Sequence, residues 1–446
     1  MLDEYLKIYV DKGIYPFHMP GHKRNPDFLP QGILTRDLTE VPGADNLYSP
    51  TGPILETQKF IANFCQSDEC VLLTNGSTAG VLAAIMGTVS DGDVLIMARN
   101  SHRSAYSALA LSGAIPAYVL PEPIGYGLAG SVKPDDVLEA ILKNKKAKGI
   151  YVTSPGYEGI VSDIKAIADL AHEHGMILIV DEAHGAHFPF SDCFPDSAIS
   201  CGADVVVNSI HKTLPALTQT AALHFKGERC DREKIKEMLQ RVQTSSPSYI
   251  LMSNIDWVYR RLAEDAEIFR KLIKNIKSLR QELEPWLFAG AGCFGYDTGK
   301  LLLLMPDGLD GREFETLLLK QGIQLEMSGS RMALGMTSPA DTDLGFELLT
   351  KLSLSILKPY GKCAPPGAPQ APSLPEMVFS PRQAQASPSE KVSIDDAVGQ
   401  VCLECVATYP PGVPILCPGE RVSEEMAEKL REIGKTVLFV GYADEL

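Results

Sequence analysis

The segment Asn208-Ser209-Ile210-His211-Lys212-Thr213 follows directly on the apolar run Val205-Val206-Val207. A lysine leaving the carboxyl end of a buried parallel strand points into the crevice where such sheets bind ligands. Burial there lowers the amine's pKa and makes it a nucleophile that condenses with an aldehyde; a surface lysine at a strand end would read the same way. Upstream, Ile177-Leu178-Ile179-Val180 runs into Asp181-Glu182-Ala183-His184. A carboxylate buried opposite a pyridine nitrogen keeps that nitrogen protonated, so that the ring accepts electrons from a carbanion. A helix N-cap or a metal ligand is the other use of an aspartate at that place. Earlier still, Thr74-Asn75-Gly76-Ser77-Thr78-Ala79-Gly80 ends a strand and opens a helix, where backbone N–H groups, two hydroxyls and the positive helix end converge as in a phosphate cradle. An ordinary capped helix start has the same residues. Phosphate cradle, strand-end aspartate and strand-end lysine succeed one another in the order and spacing that pyridoxal 5'-phosphate (PLP) demands.

These residues need a parallel sheet to position them, and the chain has the pattern for one. From about 69 to 225, short apolar runs alternate with amphipathic segments, as in successive βαβ units. Strands are expected over 70–74, 94–98, 117–120, 149–153, 177–181, 204–208 and 220–224. Helices are expected over 78–86 and over 163–174, where Ile164, Ile167, Leu170 and Ala171 share a face. One long helix over 254–283 should bridge to a smaller α+β domain beginning near 286–294, with a strand at 301–305 and helices at 311–321 and 343–357. The Pro-, Ala-, Ser- and Gln-rich stretch 358–390 has too few large apolar residues to order itself and reads as a linker. Globular patterning then resumes, with strands at 401–406, 413–417 and 436–439 and a helix at 423–433. In outline, an N-terminal arm (1–50) precedes a large domain (51–290), a small α+β domain (291–360), a Pro-rich linker (361–390) and a C-terminal subdomain (391–446).

With 446 residues, 45% apolar and 22% charged, the chain has the composition of a globular protein with more than one core. Its net charge of −15 argues against nucleic acid or an anionic membrane as a partner and does not penalise a small cationic substrate. The same acidity serves solubility alone. No basic and apolar leader opens the sequence and no run reaches the length of a spanning helix, so a cytoplasmic protein is expected. Ten cysteines without framework spacing fit reduced thiols.

Other patterns carry less. Gly290-Ala291-Gly292-Cys293-Phe294-Gly295 matches a dinucleotide fingerprint but follows a helix and precedes a strand, the reverse of the required context. Cys402 and Cys405 have zinc or redox spacing without a second pair. His18 and His22 are separated by Pro20-Gly21, which forbids the helix that would aim both at one ion, and His184 and His187 lack a third ligand. No metal site is expected.

The sequence resembles the fold-type I PLP-dependent enzymes (aspartate-aminotransferase-like fold), and more closely the ornithine/lysine/arginine decarboxylase family, over nearly its whole length. The stretches that carry the resemblance are Phe17-His18-Met19-Pro20-Gly21-His22-Lys23, Asp37-Leu38-Thr39-Glu40, Leu47-Tyr48-Ser49-Pro50-Thr51-Gly52, Asn75 to Gly80, Asn100-Ser101-His102-Arg103-Ser104, Asp181 to His184, and Ser209 through Gln219. Glu404, Tyr409-Pro410-Pro411-Gly412-Val413-Pro414 and Pro418-Gly419-Glu420 are similar to the family's C-terminal domain, which aminotransferases lack. The resemblance implies that Lys212 carries the cofactor as a Schiff base, that Asp181 pairs with the pyridine nitrogen and that His102 stacks on the ring. It further implies that Ser77, Thr78, Ser209 and His211 hold the phosphate, with His184 near the phenolic oxygen. The sequence does not single out the group that returns a proton to the α-carbon; Lys212 and His211 are the candidates. Decarboxylation of arginine, lysine or ornithine by a homodimer, feeding polyamine synthesis, is the implied activity. Another enzyme of this fold, an aminotransferase or lyase, is the alternative. The segment Glu326-Met327-Ser328-Gly329-Ser330-Arg331 matches the family only loosely, which leaves the choice among the three substrates open. Larger relatives carry an N-terminal response-regulator-like domain; this sequence resembles the compact form.

Overall fold

A computed structural model describes residues 11–28, 36–363, 373–407 and 414–441, with Ile8 and Gly32. The expected C-terminal motif 409–413 therefore lies outside the described residues. At the centre is a seven-stranded sheet: β1 (Glu69–Leu73), β2 (Val94–Ala98), β3 (Ile115–Val119), β4 (Gly149–Thr153), β5 (Ile177–Asp181), β6 (Val205–Asn208) and β7 (Ala221–Phe225), in spatial order β1-β7-β6-β5-β4-β2-β3. Strand β7 runs antiparallel to β1 and β6, and the other neighbours are parallel. Each of the seven strands expected over 69–225 is present within two residues of its expected ends, whereas the strand expected over 401–406 is two short ones, Val401–Cys402 and Val406–Ala407, in different sheets.

Both faces of the sheet are covered, which is why its strands read as unbroken apolar runs. Side chains alternate between faces at period 2. Val205 and Val207 join the core on one side with Leu95 and Met97, and Val206 joins the other with Ile96, Ile150 and Val180. Burying each such side chain contributes about 1.5–3 kcal/mol. Helix α1 (Gly76–Thr88) lies close against the first face: a β-carbon at Gly80 would come 2.7 Å from Leu73 Cδ1 and 2.9 Å from Val207 Cγ1. Helix α2 (Arg103–Ser112) follows β2, α3 (Ile164–Glu173) precedes β5, and the single turn α4 (Ile210–Thr213) follows β6.

The expected long helix is two, α5 (Tyr249–Glu264) and α6 (Ala266–Glu282), because Asp265 leaves the helical path and its carboxylate accepts the Glu267 N–H at 3.1 Å. Aspartate competes with the helix ladder in this way wherever it caps. The small domain pairs β8 (Lys300–Leu304), β9 (Met327–Ser328) and β10 (Met332–Met336) in the order β8-β10-β9, backed by α7 (Gly311–Lys320) and α8 (Asp343–Leu357). A short strand near the N-terminus, Tyr15–Phe17, runs parallel to Ile323–Leu325 and ties the arm to this domain.

The stretch expected as a linker holds structure. Ser380 and Gln383 form a capping box at the head of α9 (Pro381–Ala386), and Arg382 pairs with Asp91 at 3.0 Å, docking the segment on the large domain. Beyond it, a three-stranded sheet (Glu390–Ser393, Val437–Gly441 and Val401–Cys402) packs on helix α10 (Glu424–Glu432). No helix among the described residues is long and apolar enough to cross a membrane.

Candidate active site

The register of the sheet brings the two principal candidates together. Asp181 ends β5 directly opposite Val207 on β6 and Thr153 on β4. One residue past Val207, β6 ends, and α4 carries Lys212 back over the same edge. Burial lowers the Lys212 pKa, with the nearby Asp181 and Glu326 charges opposing. Its Nζ lies 3.1 Å from His184 Nε2.

Asp181 is 3% exposed, and its carboxylate accepts the Tyr151 O–H and the Ala183 N–H, each at 3.1 Å. Both donors are neutral, so among the described contacts this buried carboxyl group has hydrogen bonds but no ion pair. Glu182 points to the opposite face. Its Oε1 accepts the Ala198 N–H at 2.7 Å, Oε2 accepts from Asn208 Nδ2 at 3.0 Å, and burial pushes its carboxyl up to about 8. Of the pair, Asp181 faces the crevice and Glu182 braces the loop behind it.

His102 is exposed and caps α2, with Nδ1 accepting the Ser104 N–H at 3.3 Å. A neutral ring so bound carries its proton on Nε2. The Asp181 and Lys212 charges both act on it. At the other end of the crevice, Ser209 Oγ donates to Ser77 Oγ at 2.7 Å. Asn75 supplies no side-chain cap to α1, and Gly76 takes the left-handed φ of +71° that turns the chain into the helix. Two touching hydroxyls, the exposed Thr78 and an uncapped helix N-terminus thus meet at one point. His211 donates Nδ1–H to the Thr220 carbonyl at 2.9 Å, and burial lowers its pKa to about 4. At neutral pH its Nε2 carries a lone pair, so a contact from His211 to a phosphate would require the anion to draw a proton onto the ring.

These residues fit PLP. An uncapped helix end with paired hydroxyls suits the phosphate, a buried carboxylate without a cation suits a protonated pyridine, and a buried amine suits the aldehyde.

Sequence reasoning missed Tyr157 and Lys300 near the site and gave no role to Lys23 and Glu326, which it named only within longer stretches. Lys23 is buried and donates to the Met336 carbonyl at 2.7 Å and the His18 carbonyl at 3.0 Å. Glu326 accepts the Met19 N–H at 2.7 Å and the Tyr157 hydroxyl. The Tyr157 ring leans on His184 with centroids 4.6 Å apart. Lys300, 1% exposed, places Nζ 2.8 Å from His184 Nδ1. One signal was available: Lys300 is a charged residue at the head of the run Leu301-Leu302-Leu303-Leu304. The N-terminal His-Met-Pro-Gly-His-Lys motif also has a place here, since the Gly21 N–H donates to the His211 carbonyl at 2.7 Å.

Residues 2–295 match the family model described as Orn/Lys/Arg decarboxylase, major domain, and residues 368–435 match that described as Orn/Lys/Arg decarboxylase, C-terminal domain. An arginine decarboxylase of Halalkalibacterium halodurans is 31% identical over 443 residues, spanning 93% of this chain and 89% of the relative. Among solved structures, the lysine decarboxylase LdcF of Francisella novicida superposes with a TM-score of 0.77 at 19% identity, covering 93% of this chain and 75% of that one. A serine palmitoyltransferase of Sphingomonas wittichii reaches 0.60 at 15% identity, covering 78% and 87%.

Proposed function

This chain belongs to the Orn/Lys/Arg decarboxylase family, a group of PLP-dependent lyases, and from that premise we propose that Lys212 carries PLP and that the substrate is a basic amino acid, arginine before lysine or ornithine. The observation that carries the reading is the facing pair at the sheet edge: Lys212 beyond β6 and the cation-free buried carboxylate of Asp181 at the end of β5. The preference for arginine is supported by the name of the relative that is 31% identical.

Bound in this crevice, PLP supplies an electron sink for the pair left on the α-carbon when the bond to the carboxylate breaks. Asp181 would accept the ring N–H and hold that proton in place. His102 would cover one face of the ring, Ser77, Thr78, Ser209 and the N–H groups of α1 would hold the phosphate, and His184 would donate to the phenolic oxygen. Tyr157 and the Met19–Lys23 segment shield this edge from water. After CO2 leaves, the ammonium of Lys212 would return a proton to the α-carbon; His211 could do so only after taking up a proton on Nε2, which carries a lone pair at neutral pH. The amine product from arginine is agmatine, a precursor for polyamine synthesis. We place the enzyme in the cytoplasm as a homodimer, a setting in which its ten free thiols are stable.

Incubating the purified protein with PLP and each of the three amino acids tests this. Release of CO2 with agmatine, cadaverine or putrescine supports decarboxylation and identifies the substrate; a keto acid instead would make the chain an aminotransferase.

A further inference from the structure

His184 lies between two lysines. Nε2 is 3.1 Å from Lys212 Nζ and Nδ1 is 2.8 Å from Lys300 Nζ. A neutral imidazole has one N–H and one lone pair, so one of the two amines must donate to it while the other accepts. Two ammonium groups would set an N–H against an N–H at one end. Burial among Lys212, Lys300, His102 and His211 keeps His184 neutral.

The surroundings decide which amine is the donor. Lys300 is fully enclosed at the head of β8; burial lowers its pKa to about 8, the Lys212 charge acts in the same sense, and Asp297 on the preceding turn, Glu326 beside β9 and Glu158 from the loop after β4 oppose it. Asp297 is itself an anion by environment, since His187 and the Gly299 N–H hold its carboxyl below the usual range. The contact from Lys300 is the shorter of the two, as expected of a charge-assisted hydrogen bond. Lys212 must present a lone pair to react with an aldehyde.

We infer that Lys300 is a positioning residue: as an ammonium it donates to His184 Nδ1, fixes the His184 proton on Nε2, and so aims an N–H at the Lys212 side of the ring, where it would be available to the phenolic oxygen of a bound cofactor. A buried lysine with no contact to substrate thereby sets the donor direction of a ring that touches the reaction centre. This extends the proposed function, because it takes Lys212 as the reactive amine. Lys300 is held at about 8, so the device is charged at neutral pH and discharges just above it.

Two measurements test it on the holoenzyme. Nitrogen-15 NMR of histidine-labelled wild-type protein, with His184 assigned by its loss in His184→Gln, should show a neutral ring protonated on Nε2 at pH 7; protonation on Nδ1 overturns the proposal. In a pH titration of visible absorbance, Lys300→Met should move the midpoint upward by about one unit, because a nearby positive charge has been removed, and Lys300→Arg should restore most of it. An unchanged midpoint in a folded Lys300→Met protein also overturns the proposal, and if that variant fails to fold the wild-type spectrum decides alone. Failure of the proposed function is distinguishable, since it would leave Lys212 unlabelled by borohydride whatever the His184 tautomer.

Discussion

Arg99 and Glu420, 321 positions apart, form a buried two-point ion pair with contacts of 2.5 and 2.8 Å. Arg99 immediately follows β2, and its guanidinium also stacks 4.6 Å above the Tyr118 ring and donates to the Ile415 carbonyl at 3.2 Å. Three residues further on is His102. The C-terminal domain thus clamps the loop that presents a residue of the candidate site.

Breaking one side of that pair strands the other charge. Glu420→Gln should destabilise the protein by about 3–5 kcal/mol, because the guanidinium stays buried without its counter-charge. Urea unfolding followed at pH 7 measures this, and a change within about 0.5 kcal/mol would show that the clamp contributes nothing.

Gly21 offers a second test, this one of the N-terminal arm. A β-carbon there would collide with the Leu214 carbonyl, next to the turn bearing Lys212. Gly21→Ala should lower kcat by at least about tenfold through displacement of Lys212, since small misplacements at a reacting group are costly. Wild-type turnover in the variant would place the arm outside the site.

Asp181→Asn keeps the shape and removes the charge. Losing one preorganised electrostatic contact typically lowers kcat by about 10²–10³, and the variant should show that loss while its far-ultraviolet circular dichroism is unchanged. Activity within a factor of about three of wild type would reassign Asp181 to a structural role.

His224 makes a pH prediction outside the chemistry. It is fully buried against Ser67, and burial alone lowers its pKa to about 4 from the ordinary imidazole value of about 6.5. The folded state then binds fewer protons than the unfolded one between those values, so stability falls as pH drops from 6.5 towards 4. His224→Gln should lose that part of the slope, by roughly 1–3 kcal/mol over the interval. Parallel stability curves for the two proteins between pH 7 and pH 4 would contradict it.

Much of this architecture was legible in the sequence, and the reasons are local. Strand runs buried on both faces, such as Val205-Val206-Val207, advertise themselves, and β2, β4 and β5 have the bounds expected of them. Asp181 and Lys212 stand out because each ends such a run. The division at Asp265 was hidden because helical periodicity continues across it, while the cap depends on the backbone turn. The docking of α9 was hidden for a related reason: Pro-rich composition masked the Ser380–Gln383 capping box, and the partner Asp91 is remote in sequence. Glu326, Tyr157 and Lys300 come from three separate segments, so only the fold brings them together at His184 and the Met19 backbone, and Lys23 reaches the Met336 carbonyl from 313 residues away.

The most direct test is borohydride reduction of the PLP-loaded protein followed by peptide mass mapping. The pyridoxyl mass should fall on Lys212 alone, and Lys212→Ala should lose both the label and the yellow colour. A label on Lys23, Lys300 or any other lysine, or a protein that stays colourless with added PLP, would contradict the assignment.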